Sequence, residues 1–393
     1  MQNNTEEMIQ QEIQPSEVEI YDTFDKLNLK DNLLRGIYTY GFEQPSNIQQ
    51  KSIVPIIQRH DLIAQAPSGT GKTGSFTIGV LQVIDETVQK IQGILIAPTR
   101  ELAAQIHSVI SSLGTHMKVK SCLAIGGVHI SENMTDLKTS HVLVGTPGRI
   151  CDLMEQKAFD MRHIKIIVMD EADELLRQDF IKQIKKIIEK VPRETQICLF
   201  SATLPDDLLQ ITTKFLNNPV KILVEAEKLS LEGIKQYYVD VEREQYKFDT
   251  LCDLYRSLKI SQSIIFVNTI DKCIYLYDRL TENNHTVSLI HGQLTPEERN
   301  NVMKQFRLGN CRILLATDIL ARGIDVQHVN MVINYDLPNK IESYLHRIGR
   351  SGRYGRKGTA INFITDKSNR QMTEITRAYN INVEPLPNDV SNL

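Results

Sequence analysis

A glycine-rich segment that ends in lysine and threonine carries the clearest chemical signal in the sequence. It reads Ala66-Pro67-Ser68-Gly69-Thr70-Gly71-Lys72-Thr73, after an apolar run and before a helix-like segment. Glycines let backbone N–H groups surround phosphates, and a helix N-terminus adds positive potential. Lys72 would reach the β- and γ-phosphates of a nucleotide, and the Thr73 hydroxyl would bind Mg²⁺. Although Ala66 stands where the general pattern has glycine, the segment predicts a nucleotide site in preference to a plain turn.

Two adjacent carboxylates, Asp170 and Glu171, directly follow an apolar run at residues 166–169. A carboxylate at the C-terminal end of a buried strand can hold the Mg²⁺ that bridges two phosphates. The neighbouring glutamate can orient the attacking water and accept its proton. Alone, such a pair is typical of a helix N-terminus. In a chain that also contains the Lys72 segment, the pair predicts the catalytic carboxylates of a nucleotide hydrolase.

The elements that must position these residues alternate between short apolar runs and helix-like stretches. Continuous apolar runs indicate strands buried on both faces, and their alternation with helices indicates parallel sheets. We therefore predict an α/β fold with two series of strands. The predicted strands are 62–66, 94–97, 121–125, 142–144, 164–169 and 197–200, then 237–241, 263–267, 286–290, 312–316, 331–334 and 360–364.

Between the two series, residues 224–233 are charged and have no strand pattern, so we place a linker there. The predicted domains are 21–223 and 234–393. Residues 1–20 contain five glutamates and no lysine or arginine, which predicts a flexible acidic tail and is unlike a secretory signal.

Composition and charge are those of an ordinary globular chain. The 393 residues suggest two or three domains, and 41% hydrophobic content suffices for their cores. Lys and Arg number 45 against 48 Asp and Glu, so any binding of nucleic acid must be local. No apolar run approaches the roughly 20 residues of a membrane span, and the cysteines lack paired spacing. These features exclude fibrous, disulfide-stapled and membrane-spanning proteins.

The string Asp170-Glu171-Ala172-Asp173 spells DEAD, and the chain resembles a DEAD-box RNA helicase of superfamily two. The resemblance extends from Phe24 to the C-terminus, with the motifs in the expected order. It implies two tandem RecA-like domains with parallel sheets flanked by helices, and ATP and RNA bound across the cleft between them. Residues 247–255 and 333–338 are similar to eukaryotic translation initiation factor four-A and its nuclear relative in the exon-junction complex.

Residues 41–49 resemble the family's Q motif, and Phe24 lies seventeen residues before Gly41, as in the family. The resemblance places Phe24, Gln44 and Gln49 at the adenine of ATP and Asp325 at its ribose. An amide offers a donor and an acceptor together, which suits the adenine edge, and an aromatic ring can stack on the base. Without the Q-motif spacing, Phe24 would be interpreted as a core residue.

Loops after several predicted strands resemble the RNA-binding motifs of the family. In a parallel sheet such loops emerge at one edge, where hydroxyls, backbone N–H groups and arginine can contact a phosphodiester backbone. The resemblance assigns RNA contact to Pro98, Thr99, Arg100, Gly127, Thr146, Pro147, Gly148 and Arg149, and in the second domain to Thr317, Arg322 and Gly323. It assigns Ser201, Thr203 and His346 to the coupling of ATP state to strand separation. Without it, plain turns with solvated arginines would be the better interpretation.

Residues 346–357 carry five permanent positive charges and no acid. By composition alone this segment is a solvated basic loop. Because the chain also has a phosphate loop in a separate domain, we predict that Arg350 and Arg353 act as arginine fingers at the γ-phosphate. Pro296 departs from the family, which has glutamine there, whereas Arg299 keeps its expected RNA contact.

The predicted function is an ATP-dependent RNA helicase that couples ATP binding and hydrolysis to RNA binding and local duplex unwinding. RNA would be held through its backbone and 2′-hydroxyls, with weak sequence preference. One alternative is an ATP-gated RNA clamp in nuclear RNA processing, and another is a DNA-translocating ATPase of the same superfamily. The resemblance predicts a helical-repeat scaffold partner and a chain that is itself a monomer. Because no long basic run suggests a nuclear signal, we expect a cytoplasmic location, with a nuclear one as the alternative.

Overall fold

A computed structural model describes residues 20–67, 69–223, 234–258, 260–318, 329–351 and 358–387. The predicted linker at 224–233 and the predicted tail, apart from Ile20, lie outside these ranges. The six cysteines are buried free thiols. None of the helices in the described ranges combines the length and the apolar content that crossing a bilayer requires.

Within those ranges the first sheet has seven parallel strands, in the order β3-β4-β2-β5-β6-β1-β7. The strands are β1 Leu62–Gln65, β2 Gly93–Ile96, β3 Ser121–Ala124, β4 Val142–Gly145, β5 Ile166–Asp170, β6 Gln196–Ser201 and β7 Val220–Ile222. All six strands predicted in this half are present. The sequence prediction missed β7, because this three-residue edge strand is partly exposed and has no continuous apolar run.

The second sheet, counted over the same described residues, also has seven parallel strands, in the order β10-β11-β9-β12-β13-β8-β14. The strands are β8 Ile234–Asp240, β9 Ser263–Phe266, β10 Val287–Ile290, β11 Ile313–Ala316, β12 Met331–Asn334, β13 Gly358–Ile364 and β14 Glu384–Pro385. Adding seven to each strand number of the first sheet reproduces this order. The predicted fold class, two tandem RecA-like domains with parallel sheets, is confirmed. Only the exposed two-residue strand β14 was not predicted in this half.

Helices connect successive strands and cover both faces of each sheet. Around the first sheet they are α1 Asp31–Tyr40, α2 Asn47–Ile57, α3 Lys72–Val83, α4 Arg100–Leu113, α5 Ile130–Leu137, α6 Pro147–Glu155, α7 Ala172–Leu175, α8 Gln178–Ile188 and α9 Asp206–Thr212. Around the second they are α10 Lys247–Ser257, α11 Ile270–Glu282, α12 Pro296–Arg307, α13 Ile341–Ile348 and α14 Asn369–Tyr379.

Strand β5 illustrates why these strands are continuously apolar. Side chains alternate across a strand, so Ile166 and Val168 pack into the cluster on one face of the sheet, whereas Ile167 and Met169 pack into the cluster on the other. Each such side chain stabilises the fold by about 1.5–3 kcal/mol when fully buried. Because both faces are covered, the carboxyl-terminal edge of the sheet is the place where polar residues can collect.

Candidate active site

The glycine-rich segment forms the turn from β1 into α3. Gly69 and Gly71 have φ values of 80° and 104°, a left-handed backbone that favours glycine. A Cβ atom on Gly71 would lie 2.8 Å from Ser46 Oγ and 2.9 Å from Gln49 Nε2, so space as well as backbone geometry requires glycine here. Thr70 closes the loop by donating its hydroxyl to the Pro67 carbonyl at 2.8 Å. Ser68, also predicted in this loop, lies outside the described residues.

Lys72, the first residue of α3, is 7% exposed, and its ammonium group donates to the Ala66 carbonyl at 2.7 Å. The side chain therefore folds back over the mouth of the loop, within reach of anything that the loop binds. Thr73 follows it with a partly exposed side chain. The predicted cation and hydroxyl are thus both at the opening of the loop.

The carboxylates Asp170 and Glu171 follow at the end of β5, and both are 4% exposed. The Glu171 backbone N–H donates to Asp170 Oδ1 at 3.0 Å, and Glu171 itself has a left-handed φ of 52°. A non-glycine residue in that region costs energy, and such strain is common at functional sites. Burial, followed by repulsion from Glu171, raises the pKa of Asp170, while the nearby Lys72 charge opposes the shift.

Asp173, the last residue of the DEAD string, joins groups from both domains. It accepts hydrogen bonds from Ser201 Oγ at 2.8 Å and Thr203 Oγ1 at 2.9 Å. From α13 of the second domain, His346 places Nε2 3.3 Å from Asp173 and Nδ1 3.5 Å from Glu171. Glu171, Asp173 and His346 lie close enough together to share a cation. The Asp173 carboxylate, however, is already engaged by both hydroxyls and by His346. Sequence reasoning grouped the three coupling residues but missed the carboxylate on which they converge.

The Q-motif glutamine Gln49 is buried beside the phosphate loop. Its side-chain oxygen accepts the Ser46 backbone N–H at 2.9 Å, and its Nε2 donates to the Gly71 carbonyl at 3.3 Å. These contacts tie the start of α2 to the turn that precedes α3. Gln44, the other predicted amide, is exposed.

The position of Phe24 requires a correction of its predicted role as a stacking ring. Phe24 is 0% exposed, and its ring stacks on Phe42 at 6.2 Å and meets Tyr38 edge-on at 6.5 Å. An enclosed ring has no free face for a base. Phe42 is partly exposed, and its ring would lie 3.0 Å from a Cβ atom placed on Gly74 of α3. Sequence reasoning overlooked Phe42, although it lies within the Q motif itself.

A cleft of about 800 Å³ runs between the two domains. Its walls include six of the predicted RNA-contact residues, and they also include residues that were not predicted. The six are Pro98, Thr99, Arg100, Thr146, Gly148 and Arg149. Two other predicted residues adjoin the wall without being part of it: Pro147 is the first residue of α6, between Thr146 and Gly148, and Gly127 follows the wall residue Gly126 in the loop after β3.

Helix starts explain how these loops are held at the cleft. Thr99 caps α4 by accepting the Leu102 backbone N–H at 3.2 Å, and Thr146 precedes α6, whose first residue is Pro147. Arg149 donates to the Val128 carbonyl and to Asn133 Oδ1, both at 2.8 Å. Gly148 leaves its backbone open, since the nearest atom to an added Cβ is 3.9 Å away.

On the second domain, the described part of the basic segment begins at His346. Arg350 donates Nε to the His346 carbonyl at 3.1 Å and is partly exposed. Thr317 lies at the end of β11 and is 9% exposed. The predicted residues Arg322, Gly323, Asp325 and Arg353 lie outside the described residues.

Two arginines of the second domain have roles that the sequence did not reveal. Arg347 is fully buried and donates to Asp318, to the Asp336 carbonyl and to Asn268, which ties several loops of that domain together. Arg299, expected to contact RNA, lines the cleft and pairs with Glu101 of the first domain at 3.1 Å.

A nucleotide loop with buried carboxylates beside it in one RecA-like domain, and a helix of the other domain that contacts those carboxylates, define a helicase-type core in which both domains share one site. The DEAD/DEAH box helicase family matches residues 46–211, and the helicase conserved C-terminal domain matches residues 246–355. The chain belongs to the DEAD-box RNA helicase family and, within it, to the eIF4A subgroup.

The relatives support that assignment over nearly the whole chain. The ATP-dependent RNA helicase eIF4A of Scheffersomyces stipitis is 52% identical, over 94% of this chain and 94% of its own length. The ATP-dependent RNA helicase fal1 of Aspergillus fumigatus is 51% identical, over 96% and 95%. Among solved structures, S. cerevisiae Dbp5 bound to RNA and ADP BeF3 has a TM-score of 0.88 and 37% identity, over 94% of this chain and 96% of that one.

Proposed function

We propose that the chain is an RNA-stimulated ATPase that hydrolyses ATP between its two domains and uses the cycle to bind RNA and separate short duplexes, as a translation-initiation factor of the eIF4A type. The observation that carries the proposal is the contact of His346, from the second domain, with Glu171 and Asp173 beside the phosphate loop. That contact makes the geometry of the ATP site depend on the arrangement of the domains. A ligand that favours the joined arrangement, such as RNA, can therefore favour hydrolysis.

Within the first domain we assign each group one task. The loop from Ala66 to Thr73 holds the phosphates through backbone N–H groups, and Lys72 supplies the balancing charge. Glu171 orients the attacking water and accepts its proton. Thr73 and Asp170 would hold Mg²⁺, for which a hydroxyl and a carboxylate are suitable donors. When bound, Mg²⁺ neutralises developing phosphate charge, and its positive charge would keep Asp170 ionised despite burial.

On the adenine side, we assign the hydrogen-bonding role to Gln49 and the stacking role to Phe42, with Phe24 supporting Phe42 from behind. The short ring distance and near-parallel planes of Phe24 and Phe42, 6.2 Å and 18°, favour this arrangement. Gln44 and Asp325 remain proposed ligands of the nucleotide from the family resemblance alone.

From the second domain we propose Arg350 and Arg353 as fingers on the γ-phosphate. Arg350 lies four residues after His346, and His346 contacts the catalytic glutamate. A guanidinium can span two phosphate oxygens and stays charged at any working pH. Because such groups arrive from a separate domain, they would stabilise mainly the transition state.

RNA would occupy the interdomain cleft, where hydroxyls, open backbone and arginines face the same space. These groups suit contacts with the sugar–phosphate backbone and not with base edges, so the preference for particular RNA sequences should be weak. The contacts proposed are Pro98, Thr99, Arg100, Gly127, Thr146, Pro147, Gly148, Arg149, Thr317, Arg322 and Gly323.

We further propose domains at 21–223 and 234–393 joined by 224–233, after an acidic tail at 1–20. The chain would act as a monomer in the cytoplasm, on a helical-repeat scaffold that orients the domains. The domain bounds rest on the two series of strands and on the charged segment between them, and the other assignments rest on the family resemblance.

The test is ATP hydrolysis by the purified chain with single-stranded RNA, with DNA of the same sequence and with neither. We expect strong stimulation by RNA alone, and separation of a short RNA duplex that requires ATP. Equal stimulation by DNA would favour a DNA-translocating ATPase. Tight ATP-dependent RNA binding without turnover would favour a clamp.

A further inference from the structure

Among the described residues, two arginine–glutamate pairs join the domains at the cleft. Arg177, which precedes α8 in the first domain, places Nη2 3.5 Å from Oε2 of Glu342 in the first turn of α13. Arg299 of the second domain pairs with Glu101 of the first at 3.1 Å. In one pair the arginine belongs to the first domain, and in the other pair the arginine belongs to the second domain. Because the polarities are opposite, a relative rotation that exchanged partners would bring like charges together.

The position of Glu342 on α13 gives its pair a specific consequence. Glu342 and His346 are four residues apart, so they lie on the same face of the helix, one turn from each other. On the first domain, Arg177 follows Asp173 by four residues, and Asp173 is the residue that His346 contacts. Helix α13 is therefore attached to the first domain at two successive points along one face. Arg350 lies two residues after the end of α13, and its Nε donates to the His346 carbonyl.

We propose that Arg177 and Glu342 are positioning residues for ATP hydrolysis, which orient α13 so that His346 and Arg350 reach the ATP site when the domains join. The pair is partly accessible, with 26% of the Arg177 side chain and 31% of the Glu342 side chain exposed. Arg177 also pairs with Glu174 of its own domain at 3.3 Å. When the domains separate, Arg177 can remain paired with Glu174, so the separation leaves no unpaired arginine charge.

This inference rests on the proposed RNA-stimulated ATPase and adds a thermodynamic signature. A contact made only between joined domains acts mainly when both ligands are bound, because the joined arrangement is then most favoured. It changes the coupling between the two ligands, which is the factor by which an ATP analogue increases the affinity for RNA. By linkage, RNA increases the affinity for the analogue by the same factor.

The experiment compares Arg177→Gln, Arg177→Glu, Glu342→Arg and the double variant Arg177→Glu/Glu342→Arg. Fluorescent single-stranded polyuridylate is titrated with and without a non-hydrolysable ATP analogue, and the kcat of ATP hydrolysis is measured at saturating RNA. We expect Arg177→Gln to lower the coupling about 2- to 5-fold, as partly exposed ion pairs do. Each charge reversal should lower it about 10-fold, because it adds repulsion. The double variant should recover to within about 2-fold, because the arginine introduced on α13 then faces both Glu174 and the carboxylate introduced before α8.

Arg162→Glu is the matched control, since Arg162 pairs with Asp160 of its own domain and its side chain is 87% exposed. It should leave the coupling unchanged. A loss of RNA affinity by Arg177→Glu that is equal with and without the analogue would overturn the inference, because Arg177 would then be an RNA ligand that leaves the coupling unchanged. Failure of the double variant to recover, or wild-type coupling in both reversals, would overturn it as well. A wild-type chain without RNA-stimulated hydrolysis would instead contradict the proposed function.

Discussion

Replacing Glu171 by glutamine separates proton transfer from every other role that the structure gives this side chain. The amide has nearly the same shape, so it fits a site where only 4% of the residue is exposed. It keeps the close contact with His346, whose Nδ1 lies 3.5 Å from the Glu171 carboxylate. It cannot take the proton of the attacking water. We therefore expect the joined arrangement of the domains to form while the chemical step fails.

The size of the effect follows from these contacts. General-base catalysis is worth about 10²–10⁴ in rate, so kcat at saturating RNA should fall by at least about 10². Repulsion from Glu171 contributes to the raised pKa of Asp170. Removing that charge should lower the Asp170 pKa and favour the ionised carboxylate that Mg²⁺ needs. Affinity for ATP with Mg²⁺ should then be equal to or tighter than that of the wild type.

The assay is single-turnover hydrolysis of ATP at saturating RNA, combined with RNA retention in the presence of ATP. We expect slow hydrolysis and prolonged retention. The exposed Glu155, which pairs with Lys186, provides a matched control, and Glu155→Gln should behave as wild type. Turnover by Glu171→Gln within a few-fold of wild type would refute the assignment of Glu171 as the base.

Four further outcomes are expected. Lys72→Ala should weaken ATP binding at least about tenfold by calorimetry, since a charge-assisted hydrogen bond contributes about 1.5–3 kcal/mol; near-normal affinity would contradict the site. Gly71→Ala should weaken ATP binding about tenfold, because left-handed backbone costs a residue with a Cβ about 1–2 kcal/mol and the added carbon meets Ser46 and Gln49. Phe42→Ala should raise the KM for ATP about 2- to 10-fold with little loss of stability. Phe24→Ala should instead lower the free energy of unfolding by about 3–5 kcal/mol in urea titrations; the reverse pattern would restore Phe24 as the stacking ring.

Much of the fold could be predicted because short-range patterns report burial. A strand such as β5, covered on both faces, must be apolar at every position, and its run of residues shows that directly. Strands β7 and β14 escaped prediction because edge strands are held by backbone pairing with one neighbour, which leaves little trace in side-chain type. The phosphate loop was likewise readable, since Gly71 is required by its own backbone angle.

The sequence by itself predicted candidate residues for the chemistry and determined which edge of each sheet presents them, because glycine geometry, strand burial and the order of strand and loop are local properties. The tertiary structure alone decided which of these residues meet. The sequence allows either Phe24 or Phe42 to be the ring that stacks on the base, and only the packing shows which of the two rings is enclosed. The convergence of Ser201, Thr203 and His346 on Asp173, and the pairing of Arg177 with Glu342, join residues far apart along the chain. The bonds of Ser201 and Thr203 depend on how β5 and β6 pair in one sheet, and the contacts of His346 and Glu342 depend on how the two domains are placed against each other. No local pattern of residues records either arrangement.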